Sequence, residues 1–155
     1  VKTGPSGFGP CAGLAIPVSL TPSAELDELV DGKQEQTDEK ELAPYPILDQ
    51  IEAWMVEFHL SPMEVFLLLE SRFSTWPVAD RTRWVYRIFQ LFAYNQWKRE
   101  RYAASPNIED HNLDPRSWMR FPILNGGFRA ELREVRAYVL EHHGADAAGV
   151  IPESI

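Results

Sequence analysis

The chain changes character once, and that change limits what it can fold into. Through residue 46 no apolar period is visible, and glycines and prolines from Gly4 to Pro46 interrupt the sequence at short intervals. Three lysines stand there against eight acids, so this arm alone buries too little apolar surface to offset the entropy lost on ordering. It is expected to be extended and to order against something else, with residues 14–20 as its one candidate strand. From Ile47 onward the pattern is different. Apolar residues at 47, 51, 54, 55 and 58 share one helical face. The expected organisation is an extended arm at 1–46, a helical region at 47–143 and a flexible tail at 144–155.

The helical region can be divided by its start and stop signals. The first helix is predicted to end near Leu60. Ser61, Pro62 and Glu64 then supply a hydroxyl cap, a proline whose missing N–H is harmless, and an acid three residues after the cap, predicting a second helix to about Phe73. Asp80 is placed to cap a third, with apolar residues at 84, 85, 88, 91, 92 and 94, ending among Lys98, Arg99 and Arg101 where positive charge suits a C-terminus. Asp114 and Pro115 predict a short helical turn towards Met119. Asn125, Gly126 and Gly127 break the chain before a final helix carrying Phe128, Leu132, Val135 and Val139 on one face and stopped by Gly144. Trp54, Phe58, Phe66, Phe73, Trp84, Phe89 and Phe92 fall at helical spacing and are expected in the core. The fold class expected of these residues is mainly α.

A formal charge of −8 opposes binding to phosphate backbones and anionic lipid, so neither nucleic acid nor membrane is an expected partner. The longest apolar run, from Val65 to Leu69, is far short of the roughly 20 residues a spanning helix needs. Cys11 is the single cysteine and no signal pattern opens the chain, which together lead to an expected cytoplasmic location. Against the overall balance, the third helix concentrates Arg81, Arg83, Arg87, Lys98, Arg99 and Arg101 among Trp84, Tyr86, Trp97 and Tyr102. That pattern reads either as an anion-binding face or as a solvated face whose arginines pair with the acidic arm. The run at 34–42, Q-E-Q-T-D-E-K-E-L, reads as a loop able to meet a hard cation or ribose hydroxyls, or as a plain hydrated loop. The four histidines show no metal-ligand spacing, and no metal ligand is assigned.

Five segments, in order, resemble the C-terminal part of NAD+ synthetase, most closely its long, glutamine-dependent form. P-S-A-E-L at 22–26 is similar to that family's P-T-A-D-L or S-P-E-L turn. E-Q-T-D-E-K-E-L-A-P-Y at 35–45 is similar to its Q-S-D-E or Q-S-T-E loop with L-G-x-x-Y or V-G-P-Y after it. I-L-D-Q at 47–50 comes next. N-Q-W-K-R at 95–99 resembles S-Q-F-K-R, and L-D-P-R-S-W-M-R-F-P at 113–122 resembles L-S-P-R-G-D-W-R-x-P. These anchors span residues 22–122.

The resemblance implies the helical C-terminal part of an α/β adenine-nucleotide synthetase fold of the HUP-like kind. It also implies ATP-dependent amidation of deamido-NAD+ to NAD+ through an adenylated intermediate, with ATP and Mg2+ as cofactors. By position, Ser23 matches the residue that touches ATP, and Asp38 and Glu39 match the acidic pair of a loop that covers the substrate. Lys98, with Trp97 and Arg99 beside it, matches the segment that reaches deamido-NAD+. The family's S-G-G-x-D-S pyrophosphate loop is not in these residues, nor is a glutaminase nucleophile. The isolated chain is therefore expected to be inactive, with no catalytic residue of its own, and to act with the N-terminal remainder of the synthetase in a homo-oligomer. The competing reading is a non-catalytic helical protein-interaction module.

Overall fold

Apolar residues at 47, 51, 54 and 55 do line up on one buried face, that of helix α1 (Tyr45–Val56). The computed structural model describes residues 42–101, 113–116 and 119–155, all of which fall in one compact unit, Leu42–Ile155. The candidate strand at 14–20, Ser23, Asp38 and Glu39 lie outside the described residues. Helix α1 stops short of the length expected: Glu57 caps it, and His59 turns the chain with φ of +55°. Phe58 is consequently not a core residue but 60% exposed.

Helix α2 (Pro62–Arg72) starts as its sequence dictates. The Glu64 amide donates to Ser61 Oγ at 3.3 Å, and the Ser61 amide donates to Glu64 Oε2 at 2.8 Å, closing a reciprocal cap. Those hydrogen bonds hold the Glu64 carboxyl below its ordinary pKa. Because the folded value is lower than the unfolded one, the contribution is complete above the unfolded pKa and disappears as pH falls through the folded one. Ser61→Ala is expected to cost about 1 kcal/mol at neutral pH, measured by urea unfolding. Glu64→Gln is expected to keep most of the cap while flattening the acid limb of the stability profile.

Helix α3 (Val78–Tyr94) begins after Pro77 rather than at Asp80, because Val78 and Ala79 pack on the core and draw the start forward. Asp80 instead sits in the first turn and pairs with Arg83 at 3.1 Å. The helix also ends sooner than predicted. It breaks at Asn95, and the residues expected to continue it form a separate single turn, α4 (Gln96–Arg99). Helix α5 (Arg129–His143) follows the Asn125-Gly126-Gly127 break, with Phe128 at φ of +55° just before it. Leu132, Val135 and Val139 form its buried face. Gly144, at φ of +90°, ends it in a backbone conformation that L side chains rarely adopt.

The expected flexible tail is packed. A short helix, α6 (Ala145–Ala148), contacts α3 and α5, and Ala148, Ile151 and Ile155 join the core. Arg136 Nε donates to the Ile151 carbonyl at 3.2 Å and Arg133 Nε to the Ile155 carbonyl at 2.7 Å. Short apolar insertions between polar residues carry no period, so nothing in the sequence marks this anchoring as structure. Among the described residues there is no strand, and the architecture is helical, with α2, α3, α5 and α6 packed together and α1 against α2. Among the described residues at 2% exposure or less, Trp84, Phe66 and Phe89 have the largest side chains. No helix among the described residues is long and apolar enough to cross a membrane.

Candidate functional site

Packing removes two members, Arg81 and Trp84, from the cationic stripe read along the third helix, while Arg83, Lys98 and Arg101 stay exposed. Arg81 is buried on α3, where its Nη1 donates to the Glu70 carbonyl at 3.3 Å, and Trp84 lies inside the core. Near the same end of the molecule, Glu70 meets His143 Nε2 at 2.6 Å and accepts from the Tyr138 hydroxyl at 3.3 Å. Partial burial first, then the negative charge of Glu70, raise the Tyr138 hydroxyl above its ordinary pKa. This cluster ties α2 to α5. His142 stacks on Tyr138 with ring centres 4.2 Å apart, while His143 faces Glu70.

The chemistry-bearing residues gather instead where α3 breaks. A helix that stops leaves its last carbonyls without amide partners, and here two side chains from later in the chain supply them. Arg99 Nη2 donates to the Phe92 carbonyl, and Asn125 Nδ2 donates to the Ala93 carbonyl at 3.2 Å. Asn125 also donates to the Pro122 carbonyl at 2.9 Å and accepts from the Gly127 amide at 2.9 Å, which holds the 122–127 loop against the end of α3. Glycine suits position 127 by its backbone conformation, and a side chain there would also press on Tyr94. Its φ is +70°, and a Cβ would stand 3.3 Å from the Tyr94 ring.

Arg99, expected among the substrate ligands, is engaged inward. Its Nε and Nη2 donate to Gln96 Oε1 at 3.0 and 2.7 Å, and its guanidinium lies over the Phe92 ring at 4.1 Å. Trp97 and Lys98 lie on the same turn but point outward. Trp97 is 48% exposed, and Lys98 Nζ and the Arg101 guanidinium each stand 5.8 Å from its ring centre. The result is an exposed indole flanked by two cations, suited to a flat ring bearing negative charge nearby. Beside it, an apolar cavity of about 260 Å³ opens between α1 and α3, lined by Leu48, Met55, Ile88 and Leu91, with Asn95 and Arg99 among its polar groups.

Of the residues selected from sequence, the structure thus brings Trp97, Lys98 and Arg99 onto one turn. Sequence reasoning missed Gln96 and Asn125, which build that turn's surroundings. Their signal was present in N-Q-W-K-R and N-G-G, but a buried amide cannot be told from an exposed one without its partners. Among the described residues no three His, Cys, Asp or Glu side chains come together as a metal ion would need, so no Mg2+ ligand is assigned to them.

No family model matches the chain. The glutamine-dependent NAD(+) synthetase of Aquifex aeolicus (strain VF5) is 32% identical over 108 residues, covering 70% of this chain and 16% of that protein. The crystal structure of a glutamine-dependent NAD(+) synthetase from Cytophaga hutchinsonii aligns with a TM-score of 0.53 at 41% identity, over 59% of this chain and 16% of that one. The chain therefore spans about one sixth of the length of each of these two proteins. In sequence and in helical architecture it is similar to one segment of the longer chain of these glutamine-dependent NAD(+) synthetases.

Proposed function

We propose that this chain supplies part of the deamido-NAD+ binding surface of a glutamine-dependent NAD+ synthetase. In the proposed reaction the nicotinate carboxylate attacks the α-phosphate of ATP, pyrophosphate leaves, and ammonia then displaces AMP to form the amide. Most ligands of ATP and Mg2+ belong to the part of the enzyme that carries the pyrophosphate loop, and no step is assigned to a metal. Ser23, Asp38 and Glu39 remain the proposed nucleotide-contacting and substrate-covering residues. Lys98 is the proposed charge partner of deamido-NAD+ and Trp97 its stacking neighbour. Activity, oligomer formation and a cytoplasmic location belong to the assembled enzyme in this reading.

The observation that carries the reading is that Lys98 and Trp97 face outward from a turn whose next residue, Arg99, is turned in to hold it. A compact ammonium on such a turn meets an anion without reorganising the fold. One hydrogen bond to a charged group contributes about 1.5–3 kcal/mol. In a synthetase reconstituted from this chain and the remaining polypeptide, Lys98→Ala is therefore expected to raise KM for deamido-NAD+ by about tenfold or more, with kcat little changed. Steady-state kinetics with ATP and glutamine measure it. Absence of any ATP-dependent amidation in that mixture would remove the reading.

The interaction-module reading is favoured by one observation, the exposure of Ile123 and Leu124, at 56% and 93%, on the loop fixed by Asn125. Ile123→Ser with Leu124→Ser separates the two. Unchanged amidation with lost association supports the module, and lost amidation supports the synthetase.

A further inference from the structure

Gln96 is 1% exposed, in a single-turn helix on the surface of the protein, and every hydrogen-bonding position of its amide is used. Its Oε1 accepts twice from Arg99, while its Nε2 donates to the Phe121 carbonyl at 2.7 Å and to Glu100 Oε1 at 3.0 Å. The orientation of the amide is fixed chemically. A guanidinium only donates, so it must meet oxygen, and a main-chain carbonyl only accepts, so it must meet nitrogen. An isolated turn of four residues has no stability of its own. What holds α4 is this amide, the Arg99 bond to the Phe92 carbonyl and the Arg99 face on the Phe92 ring.

We propose that Gln96 and Arg99 are positioning residues which fix the α4 turn, and so the projection of Lys98, without touching substrate themselves. This rests on the reading of Lys98 as a deamido-NAD+ contact. The chain of force is short: the 121 carbonyl sets Gln96, Gln96 sets Arg99, and Arg99 closes α4 onto the end of α3 between Trp97 and Lys98 on one side and the aromatic core on the other. Lysine cannot replace arginine in this role. It has no fork to give two donors to Oε1 and one to a carbonyl, and no planar face for Phe92. Leucine at 96 has the wrong chemistry at the same approximate size, leaving the Phe121 carbonyl and the guanidinium without their partner.

Two measurements test the proposal on Arg99→Lys and Gln96→Leu. In the chain itself, amide hydrogen exchange at residues 98–101, whose amides bond to Asn95, Gln96 and Lys98 carbonyls, is expected to quicken about tenfold while the core amides of α2 and α5 hold. In the reconstituted synthetase, KM for deamido-NAD+ is expected to rise about five- to twentyfold with kcat within about twofold, and this rise is expected to vanish when Lys98 is already alanine. Arg99→Lys, the milder change, keeps the test valid if Gln96→Leu folds poorly. Unchanged exchange and KM in both variants, with Lys98→Ala still impaired, overturns the positioning role alone. An equal KM rise with and without Lys98 overturns it as well, since the pair would then act by another route. If Lys98→Ala leaves KM unchanged, the deamido-NAD+ reading falls, and the positioning proposal falls with it.

Discussion

Ending the chain after Gly144 is expected to remove about 5 kcal/mol of stability, enough to unfold a marginal domain. Ile151 and Ile155 are 0% and 8% exposed, and burying each isoleucine contributes roughly 1.5–3 kcal/mol. Their removal also uncovers α3 and α5 where α6 now lies. The two carbonyls that accept from Arg133 and Arg136 go as well, whereas the Arg136–Glu153 pair adds little because Glu153 is 87% exposed. Urea unfolding of the shortened chain against the full one measures the loss, and Ile151→Ala gives a graded version of about 2–5 kcal/mol. Equal midpoints for the full and shortened chains would show that these contacts do not hold the fold.

Phe89→Ala is expected to cost about 3–5 kcal/mol by the same measurement. The residue is fully buried on α3 and meets Phe128 edge-on at 5.1 Å. Phe128 in turn stacks on Phe121 at 5.5 Å, and Phe121 meets Phe92 at 5.1 Å. The aromatic chain therefore joins the core to the segment that presents its carbonyl to Gln96. Loss of near-ultraviolet circular dichroism beyond that caused by a core cavity elsewhere, such as Leu132→Ala, is the expected signature. An ordinary large-to-small cost with unchanged aromatic signal would confine Phe89 to packing.

The helical periods of α1, α3 and α5 are legible because one face of each is apolar at 3.6-residue spacing, and the Ser61–Glu64 cap because its chemistry is local. Three things are not. Where α3 stops depends on Arg99 and Asn125, and the second of these lies 32 residues from the carbonyl it meets. The tail is not legible because Ile151 and Ile155 are set by tertiary packing with no period of their own. Arg81 and Arg83 look alike in sequence yet end in the core and on the surface, a difference decided by which side of α3 meets α2. At the candidate site, the turn bearing Trp97, Lys98 and Arg99 is legible, and the inward direction of Arg99 is not.

Asn125 is followed by Gly126, the pairing most open to deamidation, because an unhindered glycine amide nitrogen can attack the asparagine side-chain carbon and expel ammonia as a succinimide forms. In the folded chain that side chain is tied by donations to the Ala93 and Pro122 carbonyls and by the Gly127 amide it accepts, so it is kept from swinging onto its neighbour. Once unfolding releases it, the hydrolysed product carries an acid where two carbonyl oxygens expect a donor, and refolding ends against that repulsion. Opening of this loop therefore exposes one position to a chemical change that its folded hydrogen bonds hold back.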